Sequence, residues 1–78
     1  MAFLFRPKWK SKNLKTRRRA LKRTNDSVIL ATIAKEDENW CMRKDAVAKL
    51  TNQNELKEIA LKDEIIAVRL AATEKVDD

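Results

Sequence analysis

Apolar residues recur along the chain with the spacing of amphipathic helices. Leu30, Ile33 and Ala34 fall at positions i, i+3 and i+4, which places their side chains on one helix face. The same spacing returns at Leu56 and Ile59, and polar residues fill the opposite faces. The pattern predicts five helices joined by very short turns, near residues 13–24, 27–35, 39–51, 53–62 and 64–76.

Polar residues that suit helix starts stand between the apolar stretches. Asn52, with Glu55 three residues later, has the form of a capping box, in which side chains satisfy the free amide groups of a first turn. Asp26, Asp37 and Asp63 are predicted to cap the other helices.

The chain repeats itself at a constant interval, so that the stretch beginning at Leu30 returns at Leu56. Within 30–52, eight residues are identical to their counterparts at this 26-residue shift: Leu30, Ile33, Ala34, Asp37, Glu38, Arg43, Ala46 and Lys49. The shift also carries Arg43 back to Arg17, but Ser11 stands where an aspartate is expected, so the first copy is divergent. We expect an apolar and basic N-terminal cap segment over 1–12, a half-unit over 13–26, and repeats over 27–52 and 53–78.

The turn inside each repeat carries a recognisable pattern. Asp37 and Arg43 lie six residues apart, with an aliphatic residue before the arginine and an alanine three beyond it, and Asp63 and Arg69 repeat the arrangement. This pattern resembles the inter-helix turn of HEAT repeats. The 26-residue unit is similar to the short bacterial HEAT-like and leucine-rich-variant units. The resemblance covers residues 27–78 well and the preceding half-unit loosely.

A repeated helix pair buries its apolar face only by stacking on a neighbour. The expected fold is therefore all-α, a short right-handed α-solenoid of about two and a half two-helix HEAT-like repeats. In HEAT repeats the aspartates and arginines form a polar ladder between units, so the resemblance implies a structural role for Asp37, Arg43, Asp63 and Arg69. The iron–sulfur cluster of some leucine-rich-variant proteins is not implied, because the cysteine cluster is missing.

The composition removes several kinds of chemistry. Glycine is absent, which excludes the phosphate-cradling loops of the P-loop and dinucleotide types. Histidine is absent and Cys41 is the only cysteine, so zinc, haem and iron–sulfur sites lack ligands. We expect no catalytic residue, no metal, no cofactor and no small-molecule substrate, and hence not an enzyme. Cys41 and Trp40 are both predicted to be packing residues.

The net charge of +6 is unevenly distributed, with +9 in residues 1–26 and −3 in the remainder. A basic segment with a tryptophan inside it is typical of phosphate or nucleic-acid binding. The candidate phosphate- or partner-binding residues are Lys8, Trp9, Lys10, Lys12, Lys15, Arg17, Arg18, Arg19, Lys22 and Arg23.

Plainer interpretations of the same residues stay open. The basic segment also fits a solvated helix face, or a head that pairs with Glu36, Glu38, Glu58 and Glu64 of another copy, and these interpretations are favoured over nucleic-acid binding. The apolar start, Phe3, Leu4, Phe5 and Trp9, is expected to cover the open end of the first helix. Insertion of this start into a membrane surface is the less favoured alternative.

The sequence thus predicts a bacterial-type, cytoplasmic scaffold or adaptor that binds a protein partner through its second helices, 39–51 and 64–76. The cytoplasmic location follows from the single cysteine and the lack of a signal-peptide core or spanning segment. The alternative is a nucleic-acid-binding module that uses the basic segment. Self-association through the exposed ends of the stack is a third option.

Overall fold

A computed structural model describes residues 7–77 as an all-helical protein, with no strand in that range. A 3-10 helix at Lys8–Lys10, which the sequence did not predict, precedes five α-helices. The helices are α1 (Leu14–Arg23), α2 (Ser27–Glu36), α3 (Trp40–Lys49), α4 (Gln53–Lys62) and α5 (Ile66–Lys75). The predicted all-α class and the five helices are confirmed, with every boundary within two residues.

The five α-helices are equal in length and evenly spaced. Each contains 10 residues, and three residues separate each helix from the next, so the 26-residue repeat consists of two helices and two connections. The polar N-caps share this spacing, because the side chains of Asn13, Asp26, Asn39 and Asn52 all accept hydrogen bonds from first-turn amides. Ile65 holds the fifth cap position without such a bond.

The predicted caps are partly correct. Asp26 caps α2, and Asn52 caps α4. The capping box at Asn52 is only half formed, because the Glu55 carboxylate accepts a hydrogen bond from Lys35 at 2.8 Å.

The prediction that Asp37 and Asp63 cap helix starts is wrong. Both follow a helix end, at the C-cap positions of α2 and α4. Their Oδ1 atoms accept hydrogen bonds from the backbone amides of Asn39 and Ile65, both at 2.9 Å. Each aspartate therefore fixes the connection inside its repeat, and the residue two positions later occupies the cap.

Helices at like positions of the two repeats pack together. Helix α2 packs on α3, and α4 packs on α5. Helix α3 also packs on α5, and α2 on α4, in a molecule that measures 46 × 20 × 18 Å. Leu30 and Leu56, which correspond in the two repeats, are 5% and 0% exposed, as the repeated stripes predict. The core consists of Leu21, Leu30, Ala31, Ile33, Ala34, Met42, Ala46, Val47, Leu50, Leu56, Ile59, Val68 and Ala72.

The N-terminal segment is described only from residue 7 onward. Trp9 is half-buried and packs against the core beside α1. Phe3, Leu4 and Phe5, predicted to cover the same end, lie outside the described residues. Among residues 7–77, no helix combines the length and the apolar character needed to cross a bilayer.

Candidate functional site

Two arginine–aspartate pairs connect successive units, and we call them the ladder. Arg17 in α1 donates to Asp37 from Nε at 3.1 Å and from Nη2 at 3.3 Å. Arg43 in α3 donates to Asp63 from the same atoms at 2.8 and 3.1 Å. The four side chains are between 6% and 12% exposed. Two parallel bonds from a planar guanidinium fix both the distance and the angle between the joined segments.

The three arginines at corresponding positions each fix the connection that precedes their own helix. The Nη1 atom donates to the main-chain carbonyl six residues earlier, at 3.0 Å for Arg17, 2.7 Å for Arg43 and 2.6 Å for Arg69. Arg69 repeats only this contact. Between residues 7 and 77 no side chain accepts a hydrogen bond from its Nε or Nη2.

The charges of the second ladder pair stabilise one another. Burial raises the pKa of Asp63, but the hydrogen bonds from Arg43 and the Ile65 amide, with the charges of Arg43 and Arg69, outweigh it. The net pKa of Asp63 therefore lies below its ordinary value. The hydrogen bond to Asp63 is the largest cause that raises the pKa of Arg43. Both groups stay charged at neutral pH, which suits a structural pair.

Ser11 takes over one of the two functions that Asp37 and Asp63 perform. Its hydroxyl accepts a hydrogen bond from the Asn13 amide at 3.1 Å, as the aspartates do from the amide two residues on. The second function, binding the guanidinium of an arginine twenty residues earlier, needs a carboxylate, and Ser11 provides only a hydroxyl.

Two lysines that the sequence analysis did not single out join the same architecture. Lys49 in α3 donates from Nζ to three carbonyls at the end of α1, at 2.5 to 3.1 Å. Lys75 in α5 donates to two carbonyls at the end of α3, at 2.7 and 2.9 Å. Helix ends expose unpaired carbonyls with partial negative charge, so an ammonium group satisfies them. The feature of the sequence that could have identified these two residues is that lysine occupies both corresponding positions of the repeat.

Eight of the nine basic candidates form an exposed basic surface. None of them makes an ion pair within residues 7–77, and no acidic residue occurs between positions 7 and 25. The ninth, Arg17, requires a correction, because it is 7% exposed and bound to Asp37 and so cannot reach a phosphate. The basic surface consists of Lys8, Lys10, Lys12, Lys15, Arg18, Arg19, Lys22 and Arg23.

The remaining candidate, Trp9, lies at the edge of an open cavity. The ammonium group of Lys10 stands 5.1 Å from the centre of its ring, a cation–π contact. The cavity measures about 330 Å³, and its lining includes the cation Lys12 and the carboxylates Glu36 and Glu38. Because cations and carboxylates both line this space, it does not favour an anion.

The prediction that Trp40 lies in the core is wrong. Its side chain is 42% exposed, and Ile66, its counterpart in the next repeat, is 63% exposed. One turn further along α5, Leu70 is 58% exposed, at the position that Lys44 holds in α3. We call Trp40, Lys44, Ile66 and Leu70 the second-helix surface. Helices α3 and α5 pack on each other, so this surface crosses both repeats.

Cys41 is a half-buried free thiol, in keeping with the packing role expected for it. Residues 7–77 bring together no group of three or more potential metal ligands.

Comparison with known proteins gives no relative. The chain matches no protein-family model, no curated protein and no solved structure.

Proposed function

We propose that the chain is a short right-handed α-solenoid of HEAT-like type that serves as a non-catalytic protein-interaction module. The contacts of α3 with α5 and of α2 with α4 support the stacking of like helices. The ladder supports it independently, because Arg17 and Arg43 reach forward by the same twenty residues. The free thiol of Cys41 fits a reducing, cytoplasmic setting.

The observation that carries the interaction role is the apolar content of the second-helix surface. Trp40, Ile66 and Leu70 are three of the five large hydrophobic side chains that stay exposed among residues 7–77, and they lie on two adjoining helices. Exposed apolar groups that cluster, with a tryptophan among them, are typical of sites that bind another protein. All three side chains are too exposed to be explained as core residues.

The test is capture of partners from nuclease-treated cell extract by the immobilised chain. The double variant Ile66→Ser with Leu70→Ser removes two apolar side chains from the second-helix surface. The matched control is Val28→Ser, which removes an apolar side chain that is 73% exposed on α2. We expect proteins retained by the natural chain and by the control to be lost with the double variant. Retention that is the same for all three chains would contradict the proposed surface.

Nucleic-acid binding is the second candidate, and the basic surface favours it. Lys15, Arg18, Arg19, Lys22 and Arg23 recur at i, i+3, i+4, i+7 and i+8 along α1, so they share one side of the helix. A row of cations that make no ion pair within residues 7–77 attracts a phosphate backbone, and release of counterions makes such binding salt-dependent.

Titration of duplex and single-stranded DNA at about 50 mM salt tests this candidate. Replacement of Arg18, Arg19 and Lys22 by glutamine should weaken binding and flatten its salt dependence. The control replaces three exposed lysines elsewhere, Lys44, Lys57 and Lys62, and should have a much smaller effect. Equal losses in both variants would indicate attraction by net charge alone, and no binding at low salt would exclude the candidate.

A further inference from the structure

The last unit exposes the positions through which the preceding unit contacts its neighbour. Arg43 reaches forward to Asp63, and Lys35 reaches forward to Glu55. Their counterparts in the last unit are Arg69 and Leu61. Leu61 is 80% exposed, and the Nε and Nη2 atoms of Arg69 meet no acceptor within residues 7–77.

Two further positions are buried in the preceding unit and exposed in the last one, so they belong to the same surface. Ala31 and Val47 are 8% and 0% exposed, whereas their counterparts Lys57 and Thr73 are exposed. We call Lys57, Leu61, Arg69 and Thr73 the end surface. Compared with the interface between the two repeats, the end surface has a lysine in place of an alanine and a threonine in place of a valine. It is therefore more polar and carries positive charge.

We infer that the end surface binds a helix pair of a partner protein, docked as a further unit of the stack, with an aspartate of the partner taken by Arg69. The inference depends on the pairs formed by Arg17 and Arg43 and not on the second-helix surface. Arg69 already holds its Nη1 contact with the Asp63 carbonyl at 2.6 Å, so its guanidinium is oriented as in Arg43. Among residues 7–77, only the carboxylate that would complete the pair is missing.

A second copy of this chain does not supply that carboxylate. Stacked head to tail, the copy would bring Ser11 to the position of the aspartate, next to the cations of the basic surface. Stacked tail to tail, the copies would place Lys57 and Arg69 opposite the same two cations. Charge therefore favours an acidic partner, and Leu61 adds an apolar contact at the rim.

The test attaches the probe to the full chain, so that even weak docking is detected through a high effective concentration. The probe is a second copy of residues 53–78 fused in register after Asp78, which places the copy of Asp63 twenty residues beyond Arg69. We expect the melting temperature to rise by roughly 5 °C or more. We also expect Arg69→Gln to lower it more in the extended chain than in the natural chain.

A double-mutant cycle between Arg69→Gln and an aspartate-to-asparagine change in the fused copy isolates the pairing. The two changes should be strongly non-additive, whereas Lys44→Gln, on the second-helix surface, should add independently to the copy's change. Additive effects of Arg69→Gln, or a fused copy that leaves the melting temperature unchanged, would overturn the inference. Neither outcome depends on the captured proteins that test the proposed function.

Discussion

Arg43 and Asp63 lie twenty residues apart in the chain, and the guanidinium of the first holds the carboxylate of the second through bonds of 2.8 and 3.1 Å. Arg17 and Asp37 repeat the relationship one unit earlier. Apolar side chains hold the packed helices together without fixing their register, because small and branched residues can repack. The paired charges specify which connection lies against which helix.

Loss of one ladder partner should be costly. Asp63→Ala leaves Arg43 largely buried and without its carboxylate, and we expect the free energy of unfolding to fall by about 3 kcal/mol. Asp45→Ala, an exposed carboxylate in α3, should change it by less than about 0.5 kcal/mol. Chemical denaturation measures both, and equal effects would show that the ladder does not stabilise the protein.

Exchange of the residues at positions 11 and 37 should be asymmetric. Asp37→Ser keeps an acceptor for the Asn39 amide but deprives Arg17 of its partner, so we expect a loss of about 2 kcal/mol. Ser11→Asp keeps the acceptor for the Asn13 amide and breaks no pair, so the melting temperature should barely change. A large effect of Ser11→Asp would refute the division of functions described for these positions.

The stability of the protein should fall in acid partly because of Asp63. Its pKa is lowered in the folded state, so its contribution is present above the unfolded value of about 3.9 and disappears as the pH falls through the folded pKa. The difference in unfolding free energy between the natural chain and Asp63→Asn should therefore shrink from about pH 6 to about pH 2. A difference that stays constant over this range would contradict the shift.

Lys49 should stabilise the protein by donating hydrogen bonds to the carbonyls at the end of α1. Lys49→Met keeps most of the apolar stem but removes three hydrogen bonds to carbonyls, and we expect a loss of about 1.5 kcal/mol. Lys44→Met, at an exposed position of the same helix, provides the comparison. Hydrogen exchange should also show faster opening of the last turn of α1 in the first variant only. If the two variants behave alike, the capping contacts are not formed in solution.

Replacement of Met42 by alanine should destabilise the protein more than replacement of the larger Trp40. Met42 is 0% exposed, and Met42→Ala should cost about 3 kcal/mol through the cavity it leaves. Trp40 is 42% exposed, and Trp40→Ala should cost about 1 kcal/mol. If thermal unfolding shows a larger loss of stability for Trp40→Ala than for Met42→Ala, Trp40 is a core residue and its assignment to the surface is wrong.

The sequence predicted the helices well because their signals are local. Helical spacing and polar caps such as Asp26 and Asn52 depend on neighbouring residues alone. Asp37 was misplaced because Asn39 is an equally good cap two residues later, and local preference does not decide between them.

The contacts between units were harder to predict because they depend on tertiary geometry. In the sequence, Arg17 is one cation in a basic run, and its hydrogen bond to Asp37, twenty residues away, separates it from Arg18 in the structure. The match of Arg17 with Arg43 across the repeat was the available signal. Trp40 was assigned to the core because apolar residues usually are buried, but the first position of α3 faces solvent.

Solution NMR of the natural chain tests the central claim of stacked, repeating helix pairs most directly. We predict helical carbon shifts over five evenly spaced segments that match α1 to α5. We also predict methyl NOEs between α3 and α5 and between α2 and α4, with Leu30 and Leu56 in matching surroundings. Helix pairs α2–α3 and α4–α5 that show no NOEs to each other would contradict the account.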